Sequence, residues 1–84
     1  MKNEKLARKA YKDYELELQK EKDLQKQIDT MEKSAHQKAE TGEIVYLKEL
    51  VEIYDKVSKL REELEKTKRN IDILARLIVR YVFG

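Results

Sequence analysis

The chain lacks the residues that interrupt helices and those that build several common sites. It has no proline, cysteine or tryptophan, and its two glycines are Gly42 and Gly84. Without cysteine there can be no disulfide, thiolate nucleophile or cysteine zinc site. Without a glycine-rich segment there is no phosphate-binding loop of the usual kind. The absence of proline leaves a stretch of about forty residues on each side of Gly42 in which nothing breaks a helix.

The residues that are present favour long helices. Charged residues make up 43% of the chain and hydrophobic residues 40%, a balance typical of coiled coils. The apolar residues recur at steps of three and four, which predicts helix rather than disorder. We therefore expect one all-α domain over residues 1–84, with helix one at about 3–38, a turn at 39–42 and helix two at about 43–82.

Gly42, at the middle of the chain, decides between two architectures. Glycine adopts positive φ at little cost and commonly ends a helix. A single long helix is the alternative, because one glycine inside a helix costs only about 1 kcal/mol. The two arms have similar lengths and their apolar positions pair well, so we expect an antiparallel, coiled-coil-like hairpin of two helices.

Two apolar seams are expected to face each other in this hairpin. The seam of helix one comprises Ala7, Tyr11, Tyr14, Leu18, Leu24, Ile28, Met31 and Ala35. The seam of helix two comprises Leu47, Leu50, Tyr54, Val57, Leu64, Ile71, Leu74 or Ala75, Ile78, and Tyr81 or Val82. Folding at Gly42 places Met31 level with Leu50 or Val51. It also places Glu21 level with Arg61, so we expect these two to form a seam ion pair across the hairpin, or its equivalent between protomers.

The C-terminal segment is too apolar for one opposing helix to cover. Ten of the thirteen residues from 71 to 83 are apolar, and an exposed surface of this kind marks an interaction site. We expect self-association, above all as a dimeric four-helix bundle, because a lone hairpin of this size buries little apolar surface in a core of its own. Docking onto another protein and lying on a membrane surface are the alternatives. The interrupting charges predict no transmembrane segment. The expected oligomer interface comprises Ile71, Leu74, Leu77, Ile78, Tyr81, Val82 and Phe83.

Charge is unevenly distributed along the chain, although the net charge is only +2. Residues 1–12 and 66–80 each carry a net +4, and residues 13–65 carry a net −6. A hairpin brings both basic segments to its open end. Such an end suits a nucleic-acid-binding regulator, which is an alternative function. The simpler explanation of the uneven charge is that it keeps the rod soluble and determines how protomers pair. The basic end comprises Arg8, Lys9, Lys12, Lys68, Arg69, Arg76 and Arg80.

Catalytic, cofactor-binding and metal-binding residues are not predicted. His36 is the only histidine, and with Glu32 and Glu40 it falls on one helix face. Two carboxylates and one imidazole make a weak zinc site, so we expect a solvated histidine. We expect a non-enzymatic, cytoplasmic protein without cofactor, regulatory or adaptor in role, that acts through homo-oligomerisation and protein–protein contacts. A peripheral membrane-surface protein using the apolar C-terminus is a further alternative.

Overall fold

The computed structural model describes residues 3–84 and consists of two long helices joined by a short turn. Helix α1 spans Glu4–Thr41 and helix α2 spans Leu47–Phe83, with one turn of 3₁₀ helix at Ile44–Tyr46. The helices pack side by side in a rod of 62 × 14 × 13 Å, and residues 3–84 contain no strand. The predicted all-α hairpin is confirmed for this part of the chain. Met1 and Lys2, the first two residues of the predicted domain, lie outside the described residues.

Helix α1 is terminated by Gly42, the glycine that was predicted to end the first helix. Gly42 adopts the left-handed conformation (φ 66°, ψ 12°), and its N–H donates a 3.1 Å hydrogen bond to the carbonyl of Ala39. The Thr41 hydroxyl donates to the carbonyl of Lys38 at 2.8 Å and accepts the N–H of Glu43 at 3.4 Å. Two predicted bounds are corrected: helix one continues to Thr41, and helix two begins at Leu47 because Glu43 is extended and the next three residues form the 3₁₀ turn.

The seam of the structure follows an uninterrupted 3–4 spacing on both helices. Every residue at these positions is buried or half-buried, as in a left-handed coiled coil. Its centre is formed by Leu24, Ile28, Val57 and Leu64, against which Met31, Ile53 and Leu60 pack. On α1 the seam comprises Ala7, Ala10, Tyr14, Glu17, Glu21, Leu24, Ile28, Met31, Ala35 and Lys38. Facing them, it comprises Tyr46 of the 3₁₀ turn and, on α2, Leu50, Ile53, Val57, Leu60, Leu64, Thr67, Ile71, Leu74, Ile78 and Tyr81.

Several predicted seam residues lie outside this contact. Tyr11, Leu47 and Tyr54 are 52%, 56% and 78% exposed, and in each case the preceding residue lies in the seam instead. At Tyr11 and Tyr54 the prediction chose the bulkier neighbour, and at Leu47 it passed over Tyr46, although the strict 3–4 spacing required the preceding residue in each case. It also omitted Thr67, which is only 1% exposed, because its side chain is polar.

The alignment of the two helices also differs from the prediction. Arg61 contacts Glu32 and Glu49 contacts Lys38, each at 2.7 Å. In the predicted alignment, the neighbour of Glu32, Met31, would lie level with Leu50 or Val51. Each α1 residue therefore meets an α2 residue further along the chain than expected. The reason is that residues 43–46 lie in the connection between the two α-helices, so the point of reversal follows Gly42 rather than coinciding with it.

Candidate interaction surfaces

One flank of the hairpin contains an open groove between the two helices, near the turn. We call this side the groove flank and define it by the ion pair that crosses it, in which Nη2 of Arg61 donates to Oε1 of Glu32 at 2.7 Å. The groove has a volume of about 390 Å³. Its apolar lining comprises Ala35, Ala39, Leu50, Ile53, Tyr54 and Val57. Because the lining is mostly apolar and lies open, the groove is suited to receive the side chains of another helix.

A stripe of α2 residues runs along the groove flank from one end of the rod to the other. Its members follow one another at steps of three and four, so they share one helix face. Tyr54, Ser58 and Arg61 belong to it and line the groove. The two ends are apolar and the middle is charged. In order, the stripe comprises Leu47, Val51, Tyr54, Ser58, Arg61, Glu65, Lys68, Asp72, Ala75, Val79 and Val82.

The apolar ends of this stripe are open to solvent in the single hairpin. Val51 and Val79, one near each end, are 68% and 55% exposed, and Ala75 and Val82 are half-buried. Helix α1 adds Tyr11 and Leu18 to the same flank, because they lie at seven-residue intervals from Glu32. Each end of the groove flank therefore presents an apolar patch.

The opposite flank is more polar. It carries the 2.7 Å ion pair between Lys38 and Glu49. Near the open end it has a shallow depression lined by Asp13, Leu16, Glu17, Asn70, Ile73 and Leu74. Leu16 and Ile73 are the large exposed apolar residues of this depression, 67% and 55% exposed. Their exposed fractions match those of Val51 and Val79 on the groove flank, but Leu16 and Ile73 lie among acidic and amide side chains.

Glu17 interrupts the apolar seam beside this depression. Its Oε2 atom is buried and has no hydrogen-bond partner. A buried polar atom without a partner destabilises a fold. The sequence prediction missed this residue because it placed Leu18 in the seam, although the strict 3–4 spacing from Ala10 and Tyr14 leads to Glu17.

The seven residues predicted to form the oligomer interface are distributed over different surfaces. Ile71, Leu74, Ile78 and Tyr81 occupy seam positions and are half-buried. On α1 the facing seam positions at this end include the buried Ala7 and Ala10. Of the other three, Leu77 falls on the opposite flank and Val82 on the groove flank, while Phe83 is 84% exposed. Within residues 3–84, neither helix has a stretch that is both long and apolar enough to cross a membrane.

The predicted ion pair between Glu21 and Arg61 does not form within the hairpin. Arg61 lies on the groove flank rather than in the seam, with its side chain 59% exposed, and it pairs with Glu32. Glu32 raises the pKa of Arg61, first through the hydrogen bond and then through its charge. Glu21 occupies a half-buried seam position. The displaced alignment of the helices separates the two residues, and an equivalent pair between protomers stays a prediction.

The predicted basic end is assembled by the fold, but acidic neighbours accompany it. Three of its basic side chains form ion pairs on the helix surface: Arg8 with Glu4 at 2.6 Å, Arg76 with Asp72 at 3.1 Å and Lys68 with Glu65 at 3.9 Å. The remaining members, Lys9, Lys12, Arg69 and Arg80, are exposed. These ion pairs reduce the positive field that a polyanion would meet. Nucleic-acid binding stays a prediction.

The groove also contains His36, beside Glu32. His36 is exposed. In the described part of the chain, residues 3–84, there is no group of three or more His, Cys, Asp or Glu side chains that could hold a metal ion. The groove therefore offers apolar contact and one ion pair to a binding partner.

Neither a protein-family model, nor a curated protein, nor a solved structure matches this chain. The two flanks and the basic end are therefore the features from which a function can be inferred.

Proposed function

We propose that the protein is a non-enzymatic helical hairpin that associates with itself and serves a regulatory or adaptor role through protein–protein contacts. The groove flank makes these contacts. The observation that carries the proposal is the exposure of large apolar side chains at both ends of this flank, including Val51, Tyr54 and Val79. Removing such surface from water stabilises an assembly by about 25 cal/mol per Å² of apolar area.

The size of the hairpin supports the same conclusion. Two helices share only one seam, and among residues 3–84 six apolar residues are buried in it. Chains of this size commonly gain stability by oligomerisation, because a single small core contributes little. A second pair of helices laid against the groove flank would complete a four-helix bundle. The more polar opposite flank would then remain in contact with water.

Light scattering of the purified chain at micromolar concentration tests the proposal. We expect a mass of at least twice the 10.1 kDa of the chain. Circular dichroism on the same sample shows whether the helices are intact. A fully helical protein that keeps a mass of 10.1 kDa at every concentration contradicts self-association.

A further inference from the structure

We propose that two copies of the chain pack antiparallel, α2 against α2, through the groove flank. This inference rests on the proposed function, because it specifies the partner and the orientation of the same surface. The partner is a second copy, since the stripe on α2 is complementary to itself when reversed. Its two ends are apolar and its middle carries alternating charges. A surface of this kind suits a two-fold axis, where the same patch serves both subunits.

The charged middle of the stripe sets the register of the two copies. Arg61, Glu65, Lys68 and Asp72 alternate base, acid, base and acid along one face. Read backwards, as in an antiparallel partner, the order becomes acid, base, acid and base. Arg61 of each copy then faces Asp72 of the other, and Glu65 faces Lys68. Complementary charges of this kind determine orientation and register in helical assemblies.

The same register brings the apolar ends together. Tyr54 of one copy faces Val79 of the other, and Val51 faces Val82, because these residues follow the charged middle at the same steps of three and four. The small residues Ser58 and Ala75 also face each other and allow the helices a close approach. The groove of about 390 Å³ lies beside Tyr54, so it lies where the C-terminal end of the second copy's α2 arrives.

The distribution of charge over the rod favours this orientation. The open half, residues 3–22 and 66–84, carries eleven basic and six acidic side chains, a net +5. The turn half, residues 23–65, carries seven basic and eleven acidic side chains, a net −4. An antiparallel pair places each basic half beside an acidic half. A parallel pair would place like halves together and would bring Arg61 of one copy beside Arg61 of the other, which is unfavourable.

Cysteine cross-linking tests the orientation, because the chain has no cysteine of its own. The variants are Tyr54→Cys, Val79→Cys and the double variant, all at exposed positions, treated with a short thiol-to-thiol cross-linker. The two sites lie about 37 Å apart along α2 at a rise of about 1.5 Å per residue, too far for a bridge within one chain. We expect covalent dimer from the double variant and from an equal mixture of the two single variants. Neither single variant alone should cross-link.

The other results overturn the inference in distinguishable ways. Covalent dimers from each single variant alone would show a parallel pair. A dimer by light scattering that none of the variants cross-links would show that another surface is used. Both results refute the orientation and leave self-association standing. A wild-type chain that stays monomeric refutes the proposed function itself and leaves the groove flank to a different occupant. Circular dichroism of each variant shows whether it has folded.

Discussion

The guanidinium of Arg61 lies 2.7 Å from Oε1 of Glu32 and joins the two helices across the groove flank. The Arg61 and Glu32 side chains are 59% and 41% exposed to solvent. The pair therefore marks the alignment of the helices without being a main source of stability, because exposed ion pairs contribute little. Its position also shows that the point of chain reversal follows Gly42.

A double-mutant cycle on this pair should give a coupling close to the error of the measurement. The variants are Arg61→Gln, Glu32→Gln and the double change, compared by urea denaturation.

Glu32 raises the pKa of Arg61, so the contribution of the arginine to stability is complete below its ordinary pKa. It is lost only as the pH rises through the raised value, and stability due to Arg61 should stay constant from neutral to mildly alkaline pH. In a second cycle, the effects of Glu21→Leu and Arg61→Leu on the free energy of unfolding should be additive. Strong coupling between them would support the predicted Glu21–Arg61 pair.

Replacement of Glu17 by leucine should stabilise the hairpin. The change removes a buried carboxylate oxygen that has no hydrogen-bond partner and extends the apolar seam. The expected gain is about 1–3 kcal/mol in the free energy of unfolding, measured by urea denaturation. Gln19→Leu, at an exposed position of the same helix away from the seam and from the groove flank, is the control and should change stability little. If Glu17→Leu is no more stable than the control, the Glu17 carboxylate is solvated in solution.

Replacement of Gly42 by alanine should destabilise the hairpin by about 1–2 kcal/mol, the ordinary cost of left-handed backbone for a residue with a Cβ. A Cβ at this position would meet no atom within 4 Å, so the effect reports the backbone conformation alone. Gly42→Asn should lose less, because asparagine tolerates positive φ better. In a single continuous helix, Gly42→Ala would instead stabilise by about 1 kcal/mol. The sign of the change in a thermal or urea denaturation therefore distinguishes the two architectures.

Simultaneous replacement of Arg8, Lys9 and Lys12 by glutamine should leave the helical signal in circular dichroism nearly unchanged, because all three are exposed. Acidic partners already lie beside several basic residues of this end, so we expect the wild type to show no binding to labelled RNA or DNA at low salt. Fluorescence anisotropy measures this. Binding that weakens steeply with salt and is lost in the triple variant would establish the nucleic-acid alternative.

The sequence predicted the architecture because its strongest signals are local. Gly42 has no competitor as a break in the helices, and the 3–4 spacing identified the centre of the core at Leu24, Ile28, Val57 and Leu64. The alignment was wrong because it depends on how many residues the connection occupies, and the Ile44–Tyr46 turn has no distinctive sequence signal.

The candidate site was only partly predictable, for a related reason. The prediction placed Tyr54 rather than Ile53, and Leu18 rather than Glu17, in the seam, while the contact follows the strict 3–4 spacing. Once Tyr54 and Leu18 are assigned to the groove flank, the exposed apolar surface extends to both ends of the rod. From sequence alone it was recognised only at the C-terminus.

We infer that the groove flank, rather than apolar surface in general, joins the copies. The most direct test is sedimentation equilibrium of two double variants with matched exposure. Val51→Gln with Val79→Gln changes the groove flank, and Leu16→Gln with Ile73→Gln changes the opposite flank, with original exposures of 68% and 55% against 67% and 55%. Glutamine is uncharged and a good helix former, so both variants should remain helical. We expect the dissociation constant of the first variant to rise at least roughly tenfold, while the second variant associates like the wild type. Equal weakening of both variants, or of neither, would refute the role of the groove flank.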